Sequence, residues 1–179
     1  MDYAYAGIGS RNCPENIIKI IIKLGRWLSL KGYTLRSGAA DGCDTAFEKG
    51  CDLVKGKKEI YIPWKNFNNS DSELIVKNKK AFEIAAKYHP NYEKLSLGVK
   101  KLQARYSHQI LGLTLDNPVK FVICYTKNGL EIGGTSQALR IAKDYNIPIF
   151  NLGKYKNIDE CRKAFLIFFE KVNKKNNMI

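Results

Sequence analysis

Short apolar runs alternate with longer amphipathic segments along this chain of 179 residues. The short runs predict strands, and runs with almost no polar residue are typical of strands that are buried on both faces. The run at 119–125 is the clearest, because Lys120 is its only charged residue. The predicted strands are residues 3–6, 33–36, 59–62, 119–125 and 147–151.

Apolar residues recur every three or four positions in the longer segments, as they do on the buried face of a helix. Pro14 suits the first turn of the first helix, where a missing backbone N–H costs nothing. Asp71 or Ser72 is expected to cap the third helix, and Thr135 or Ser136 to open the fifth. The predicted helices are residues 14–30, 44–53, 72–88, 96–111, 135–145 and 158–172.

The order of these elements predicts the fold class. Strands that alternate with helices form α/β proteins with right-handed crossovers. We therefore expect a doubly wound, mostly parallel, Rossmann-like sheet with helices on both faces and a helical insertion at about 64–116. One domain is expected over residues 1–173, followed by a flexible basic tail at 174–179.

Composition narrows the protein class. No apolar run approaches the roughly 20 residues that a membrane-spanning helix needs, and the first residues lack the basic cluster of a secretory signal. The five cysteines are odd in number and have no Cys-x-x-Cys spacing, which argues against a disulfide framework or a zinc site. These features predict a cytoplasmic protein, and we expect no metal and no resident cofactor.

The formal net charge of +13 suggests an anionic partner. Residues 1–54 hold 7 basic and 6 acidic side chains, whereas residues 55–120 hold 13 and 6 and residues 121–179 hold 10 and 5. Lysines outnumber arginines by 24 to 6. The excess therefore predicts either a solvated lysine surface or a single-stranded DNA contact centred on 55–120.

Three glycine-rich turns carry the candidate chemistry, because the turns after parallel strands expose backbone N–H groups to anionic ligands. In the first turn, Gly7 and Gly9 would let the backbone approach a ligand closely. Ser10 can donate a hydroxyl and Arg11 can pair with a phosphate. A tight strand-to-helix turn with no ligand remains the alternative.

The second turn contains Ser37, Gly38, Asp41 and Asp44. Two carboxylates repel a phosphate, but they suit the hydroxyls of a ribose or an amine. Asp44 also stands where it could cap the second helix, so the sequence leaves both roles open.

The third turn places Gly133, Gly134 and Thr135 at a predicted helix start, where amides and a hydroxyl can hold one phosphate. Glu131 precedes them and is a weak candidate for a sugar contact or a general base. In the insertion, Arg105 is a candidate ligand clamp, with a surface arginine as the alternative.

Together, Gly7–Arg11, Ser37–Phe47 and Gly133–Ala138 resemble the motifs of the SLOG superfamily of Rossmann-like proteins. This superfamily includes the DNA-processing protein A (DprA) family and the LOG-type phosphoribohydrolases. The chain most resembles small stand-alone DprA-like proteins, many of them encoded by phages and mobile elements. The resemblance covers about residues 3–152 and implies a cytoplasmic homo-oligomer that binds nucleotides.

One departure bears on activity. At the third turn, LOG enzymes have a motif that resembles P-G-G-x-G-T-x-x-E, and its glutamate is catalytic. The resemblance places Ala138 of this chain at that glutamate position. The first expectation is therefore a nucleotide-binding sensor or sequestering protein in phage–host conflict, without turnover. Nucleotide N-glycosidase activity and DprA-like binding of single-stranded DNA are the alternatives.

Overall fold

The computed structural model describes residues 3–176 of the chain. Five strands form one parallel sheet in the order β3-β2-β1-β4-β5. The strands are β1 (Ala4–Gly9), β2 (Thr34–Ser37), β3 (Lys58–Ile60), β4 (Phe121–Tyr125) and β5 (Ile149–Asn151). The helices are α1 (Glu15–Leu30), α2 (Cys43–Asp52), α3 (Lys79–Tyr88), α4 (Leu97–Leu111), α5 (Thr135–Asp144) and α6 (Ile158–Asn176).

This architecture confirms the predicted doubly wound fold with its helical insertion. The chain moves outward from β1 to β3, crosses back over the sheet through α3 and α4, and adds β4 on the other side of β1. The order of strands therefore reverses between β1 and β4. In open parallel sheets, a crevice forms at such a reversal, beyond the carboxyl ends of the two strands.

The two faces of the sheet are covered by different helices. Tyr5 and Phe121 point into a core with α1, α2 and α6. Ala6 and Val122, one position further along the same strands, point into a core with α3, α4 and α5. This alternation explains why β4 has no polar residue, since each of its faces is buried.

The first strand is longer than predicted. Gly7 and Gly9 were expected in a turn, but they pair in register with Ile123 and Tyr125 of β4. Side chains at these positions would collide with α2, because a Cβ on Gly7 would lie 2.6 Å from Phe47 and one on Gly9 would lie 2.6 Å from Cys43. These glycines let α2 pack directly on β1.

The predicted start of the third helix at residues 71–72 is wrong. Ser72 instead donates its hydroxyl to the Ile60 carbonyl at 2.5 Å, and Ile75 forms a parallel bridge with Ile62. The helix begins at Lys79, where the Asn78 side chain accepts a hydrogen bond from the Lys80 amide. The segment before it adds to the edge of the sheet, so it is extended rather than helical.

Helix α6 runs to Asn176, past the predicted end at 172. Of the predicted tail at 174–179, residues 177–179 lie outside the described residues. Within residues 3–176, no helix is long and apolar enough to cross a membrane. All five cysteines are free thiols.

Helices α1 and α2 approach each other through two glycines. A Cβ on Gly25 would lie 2.7 Å from the Phe47 carbonyl oxygen. A Cβ on Gly50 would overlap the Ile22 carbonyl oxygen and lie 2.9 Å from the Arg26 amide nitrogen. Backbone therefore packs against backbone at this crossing.

Candidate functional site

A pocket of about 490 Å³ opens at the reversal of strand order. It lies between the ends of β1 and β4, the start of α5 and one side of α4. Three positively charged side chains line it, and no acidic one does. Its lining residues are Gly9, Ser10, Arg11, Ala40, Leu102, Gln103, Arg105, Tyr106, Thr126, Lys127, Ile132, Gly133, Gly134 and Thr135.

Arg105 forms the buried side of this pocket, with only 1% of its surface exposed. Its Nη1 donates to the Gly38 carbonyl oxygen. Its guanidinium lies over the rings of Phe67 and Tyr106, at 5.5 and 5.1 Å from the ring centres. Its Nε has no hydrogen-bond partner in the described chain.

No carboxylate among residues 3–176 lies within ion-pair distance of Arg105. A buried cation that is only partly neutralised is costly, unless an anion supplies the missing interaction. Arg105 is therefore a buried cation in the wall of an open pocket. The alternative interpretation from the sequence, an arginine on the surface, is wrong.

Asp44 is the acid whose charge acts on this region. It is buried below the first and second turns, and its Oδ1 accepts a hydrogen bond from the Gly9 amide at 3.2 Å. Burial raises the pKa of Asp44 to about 6, while Arg105 and the backbone N–H groups of Ala40, Gly9 and Gly38 oppose that rise. Asp44 does not cap α2, since the N-cap is Gly42 and no side chain bonds there.

The pKa of Asp44 makes the stability of the fold pH-dependent. The folded chain holds this proton up to about pH 6, whereas an unfolded aspartate loses it near 3.8. Stability is therefore expected to fall as the pH rises from about 3.8 to about 6, by about 3 kcal/mol for this group. Urea unfolding between pH 4 and 7 should show that Asp44→Asn removes this loss.

The exposed neighbour Asp41 provides the matched control, because Asp41→Asn removes one carboxylate from the same turn without touching the buried site. Stability curves for wild type and Asp44→Asn that run parallel across this pH range would contradict the assignment.

The first turn reaches the pocket through three of its four predicted residues. Gly9, Ser10 and Arg11 line it, and Gly7 lies inside the sheet. The Ser10 amide already bonds to the Tyr125 carbonyl at 2.9 Å, and its hydroxyl donates to the Asn12 carbonyl at 3.1 Å. The exposed side chain of Arg11 is the charged group that this turn offers to a ligand.

The predicted residues of the second turn lie behind the pocket wall or outside it. Ser37 donates its hydroxyl to the Gly7 carbonyl at 2.6 Å, which links β2 to β1. Gly38 lies so close to Arg105 that a Cβ there would come within 2.8 Å of the guanidinium carbon. Asp41 is exposed to solvent and does not line the pocket.

All three predicted residues of the third turn line the pocket. Helix α5 begins at Thr135 and no side chain caps its amino terminus. The Ser136 and Gln137 amides bond to the Gly133 and Gly134 carbonyls, at 3.3 and 3.1 Å, so the turn offers a ligand chiefly the positive end of the helix dipole. Gly133 has a φ of +75°, a conformation that favours glycine.

Glu131, the weak catalytic candidate, does not line the pocket. Its carboxylate pairs with Lys143 on the exposed side of α5, at 2.7 Å. Gln137 donates to the Ala85 carbonyl at 2.8 Å and accepts from Arg140 at 2.9 Å. Ala138 is fully buried in the core beside α3 and α4. None of these three residues presents a carboxylate to the pocket.

The pocket also uses residues that motif reasoning missed. They lie on α4 and on the loop after β4: Leu102, Gln103, Tyr106, Thr126, Lys127 and Ile132. Helical periodicity gave a usable signal for Leu102, which lies three residues before Arg105 on the same face of α4. Glycine patterns carry no such signal for Lys127.

A larger depression of about 600 Å³ lies between α1 and α6. Apolar side chains such as Trp27, Leu30, Phe165 and Leu166 form most of its wall. It contains none of the predicted site residues and lies away from the ends of the strands. Size alone therefore does not identify the site. The smaller pocket contains the glycine turns and three positively charged side chains that a ligand could contact.

Comparison with solved structures identifies the fold, whereas comparisons of sequence find no relative. No protein-family profile matches the sequence, and no curated protein is significantly similar to it. Among solved structures, DNA processing protein A from Helicobacter pylori, studied for its single-stranded DNA binding mode, is 18% identical with a TM-score of 0.56. The match covers 98% of this chain and 80% of that one.

Two further structures have the same fold. DprA from Streptococcus pneumoniae is 18% identical with a TM-score of 0.54; the match covers 93% of this chain and 56% of that one. The molybdenum cofactor carrier protein from Chlamydomonas reinhardtii is 15% identical with a TM-score of 0.52, covering 96% and 88%. The chain therefore has the DprA-like, Rossmann-like fold that the three turns led us to expect.

Proposed function

We propose that the protein binds a phosphate-bearing small molecule of the nucleotide type in the pocket between β1 and β4. The observation that carries this proposal is the charge of the pocket wall. Arg11, Arg105 and Lys127 line it and no acidic side chain does. Such a wall attracts anions and disfavours cations.

The amino terminus of α5 supports a phosphate in particular. No side chain caps this helix start, and its dipole offers a partial positive charge to an anion. Gly133 and Gly134 add no side chain, and Thr135 adds a hydroxyl. The volume of about 490 Å³ lies within the range of small-molecule sites.

Binding without turnover is the role that the pocket supports best. Glycosidic hydrolysis needs carboxylates near the reacting bond, and none lines the pocket. We therefore propose a sensor or a sequestering protein, with phage–host conflict as its setting and a homo-oligomer as its assembly. One structural neighbour is a carrier of a cofactor, and the proposal gives this chain the comparable role of holding a small molecule.

Native mass spectrometry of the purified protein, followed by calorimetric titration with nucleoside monophosphates, tests the proposal. Replacing Arg11 and Lys127 together with alanine is expected to weaken binding by about tenfold or more, because each supplies a charge to the phosphate. Replacing Lys154 and Lys156, which do not line the pocket, is the matched control. Failure of wild type to bind any phosphate compound would overturn the proposal.

Single-stranded DNA is the second candidate, and the excess of basic over acidic residues in 55–120 favours it. Two DprA structures share the fold, one of them described for its binding of single-stranded DNA. Titration with a short oligodeoxynucleotide at several salt concentrations separates the two. Affinity for a strand that falls steeply with salt and exceeds the affinity for every mononucleotide would favour this candidate.

A further inference from the structure

Helix α4 gives the pocket an uncharged polar side chain in addition to the cation of Arg105. Gln103 is 8% exposed, and its Oε1 has no hydrogen-bond partner in the described chain. The residue nevertheless lines the pocket. A buried amide oxygen without a partner costs about 1–3 kcal/mol. The Gln103 oxygen is shielded from solvent, so a small rotation of this side chain toward the pocket would let it accept a hydrogen bond from a ligand there.

Apolar side chains accompany this amide. Leu102, the neighbour of Gln103 on α4, lines the pocket, and so does Ile132 from the loop before α5. Ile132 is 65% exposed, so part of its apolar surface is available to a ligand. Neither residue offers a phosphate a favourable contact. The face of a flat ring, by contrast, makes favourable van der Waals contact with both.

A glutamine amide presents an acceptor and a donor side by side. This pair matches the edge of a heterocyclic base, where a donor and an acceptor also adjoin. A ribose lacks the flat faces that Leu102 and Ile132 would cover. The chemistry of this side therefore differs from that of the Arg11 and Lys127 side, which suits charge.

We infer that Leu102, Gln103 and Ile132 form a second subsite, which takes the base of the bound nucleotide and reads its edge through Gln103. This inference rests on the proposed function, since the phosphate at α5 brings the base to α4. It assigns to Gln103 a role in specificity, while the charged residues supply most of the affinity.

Calorimetric titration with inorganic phosphate, ribose 5-phosphate and the four common ribonucleoside 5′-monophosphates tests the inference. Wild type is expected to bind at least one monophosphate about tenfold or more tightly than ribose 5-phosphate. Gln103→Leu should lower that preference by about tenfold, and it should leave the affinity for phosphate and ribose 5-phosphate within about twofold.

Gln109→Leu is the matched control. Gln109 lies on the same helix, is fully buried and has both polar side-chain atoms unpartnered, but it does not line the pocket. Its replacement should leave the preference for the base unchanged. Thermal unfolding of both variants without ligand checks that each is folded, and neither loses a hydrogen bond that the described chain makes.

Distinct results overturn the two proposals. If wild type binds ribose 5-phosphate as tightly as every monophosphate, or if Gln103→Leu keeps the full preference, the base subsite is wrong while phosphate binding stands. If neither phosphate nor any phosphate ester binds, the proposed function is wrong and the subsite falls with it.

Discussion

Replacing Arg105 with methionine is expected to weaken binding of a nucleoside monophosphate by about ten- to a hundredfold. The substitution removes a buried positive charge and its free Nε–H from the pocket wall. Hydrogen bonds to charged groups contribute about 1.5–3 kcal/mol, which corresponds to this range of affinity. Calorimetric titration measures the change directly.

The same substitution should also destabilise the fold, because the charge of Arg105 favours ionised Asp44. Loss of the cation should raise the pKa of Asp44 further, because Arg105 opposes the effect of burial, so the ionised acid becomes more costly in the fold at neutral pH. Arg105→Met combined with Asp44→Asn separates the two effects. The double variant should recover the stability lost through ionised Asp44, but neither the hydrogen bond to the Gly38 carbonyl nor the affinity. The asparagine side chain of that variant keeps an oxygen that can accept from the Gly9 amide.

Arg162→Met provides the control, since Arg162 is exposed on α6 and lines only the apolar depression. Recovery of nucleotide affinity by the double variant would contradict the assignment of Arg105. Binding would then depend on the integrity of the fold rather than on the guanidinium.

Gly50→Ala is expected to lower the stability of the folded chain by about 3 kcal/mol. The new methyl group would overlap the Ile22 carbonyl oxygen and press on the Arg26 amide, so α1 and α2 must separate. Overpacking typically costs about 1–3 kcal/mol, and backbone yields less readily than a side chain. Thermal unfolding should show a fall in Tm of roughly 6–12 °C.

Gly98→Ala provides the matched control, because Gly98 also lies in a helix but its Cβ would meet only Trp64, at 4.0 Å. Alanine there should raise stability by about 0.5–1 kcal/mol, through its better helix propensity. Equal effects of the two substitutions would mean that the crossing of α1 and α2 adapts freely, against the packing described above.

Sequence patterns predicted the sheet because hydrophobic continuity and strand burial have the same cause. Val122 and Ile123 are apolar because each faces a different core, so the burial of β4 could be predicted from the sequence. The start of α3 could not be predicted in this way. Asp71 and Ser72 carry the chemistry of a helix cap, but the bridge between Ile62 and Ile75 holds that segment extended, and this contact is tertiary.

The candidate site was predicted in part for a similar reason. Glycine motifs identify where backbone is exposed, so Gly133, Gly134 and Thr135 were found by pattern alone. The glycines of the first motif also serve packing, since α2 lies against Gly7 and Gly9. Gln103 and Lys127 carry no motif, and only the folding of α4 and the β4 loop brings them to the same pocket.

The hydrogen bond from Arg105 to Gly38 connects the two halves of the molecule mechanically. Arg105 belongs to α4, which covers one face of the sheet, and Gly38 precedes α2, which covers the other. Leu102, also on α4, packs against the core that contains α2, so it adds a second contact between the layers. The guanidinium thus joins the wall of the pocket to the turn before α2, so Arg105→Met removes a link between the two layers as well as a charge.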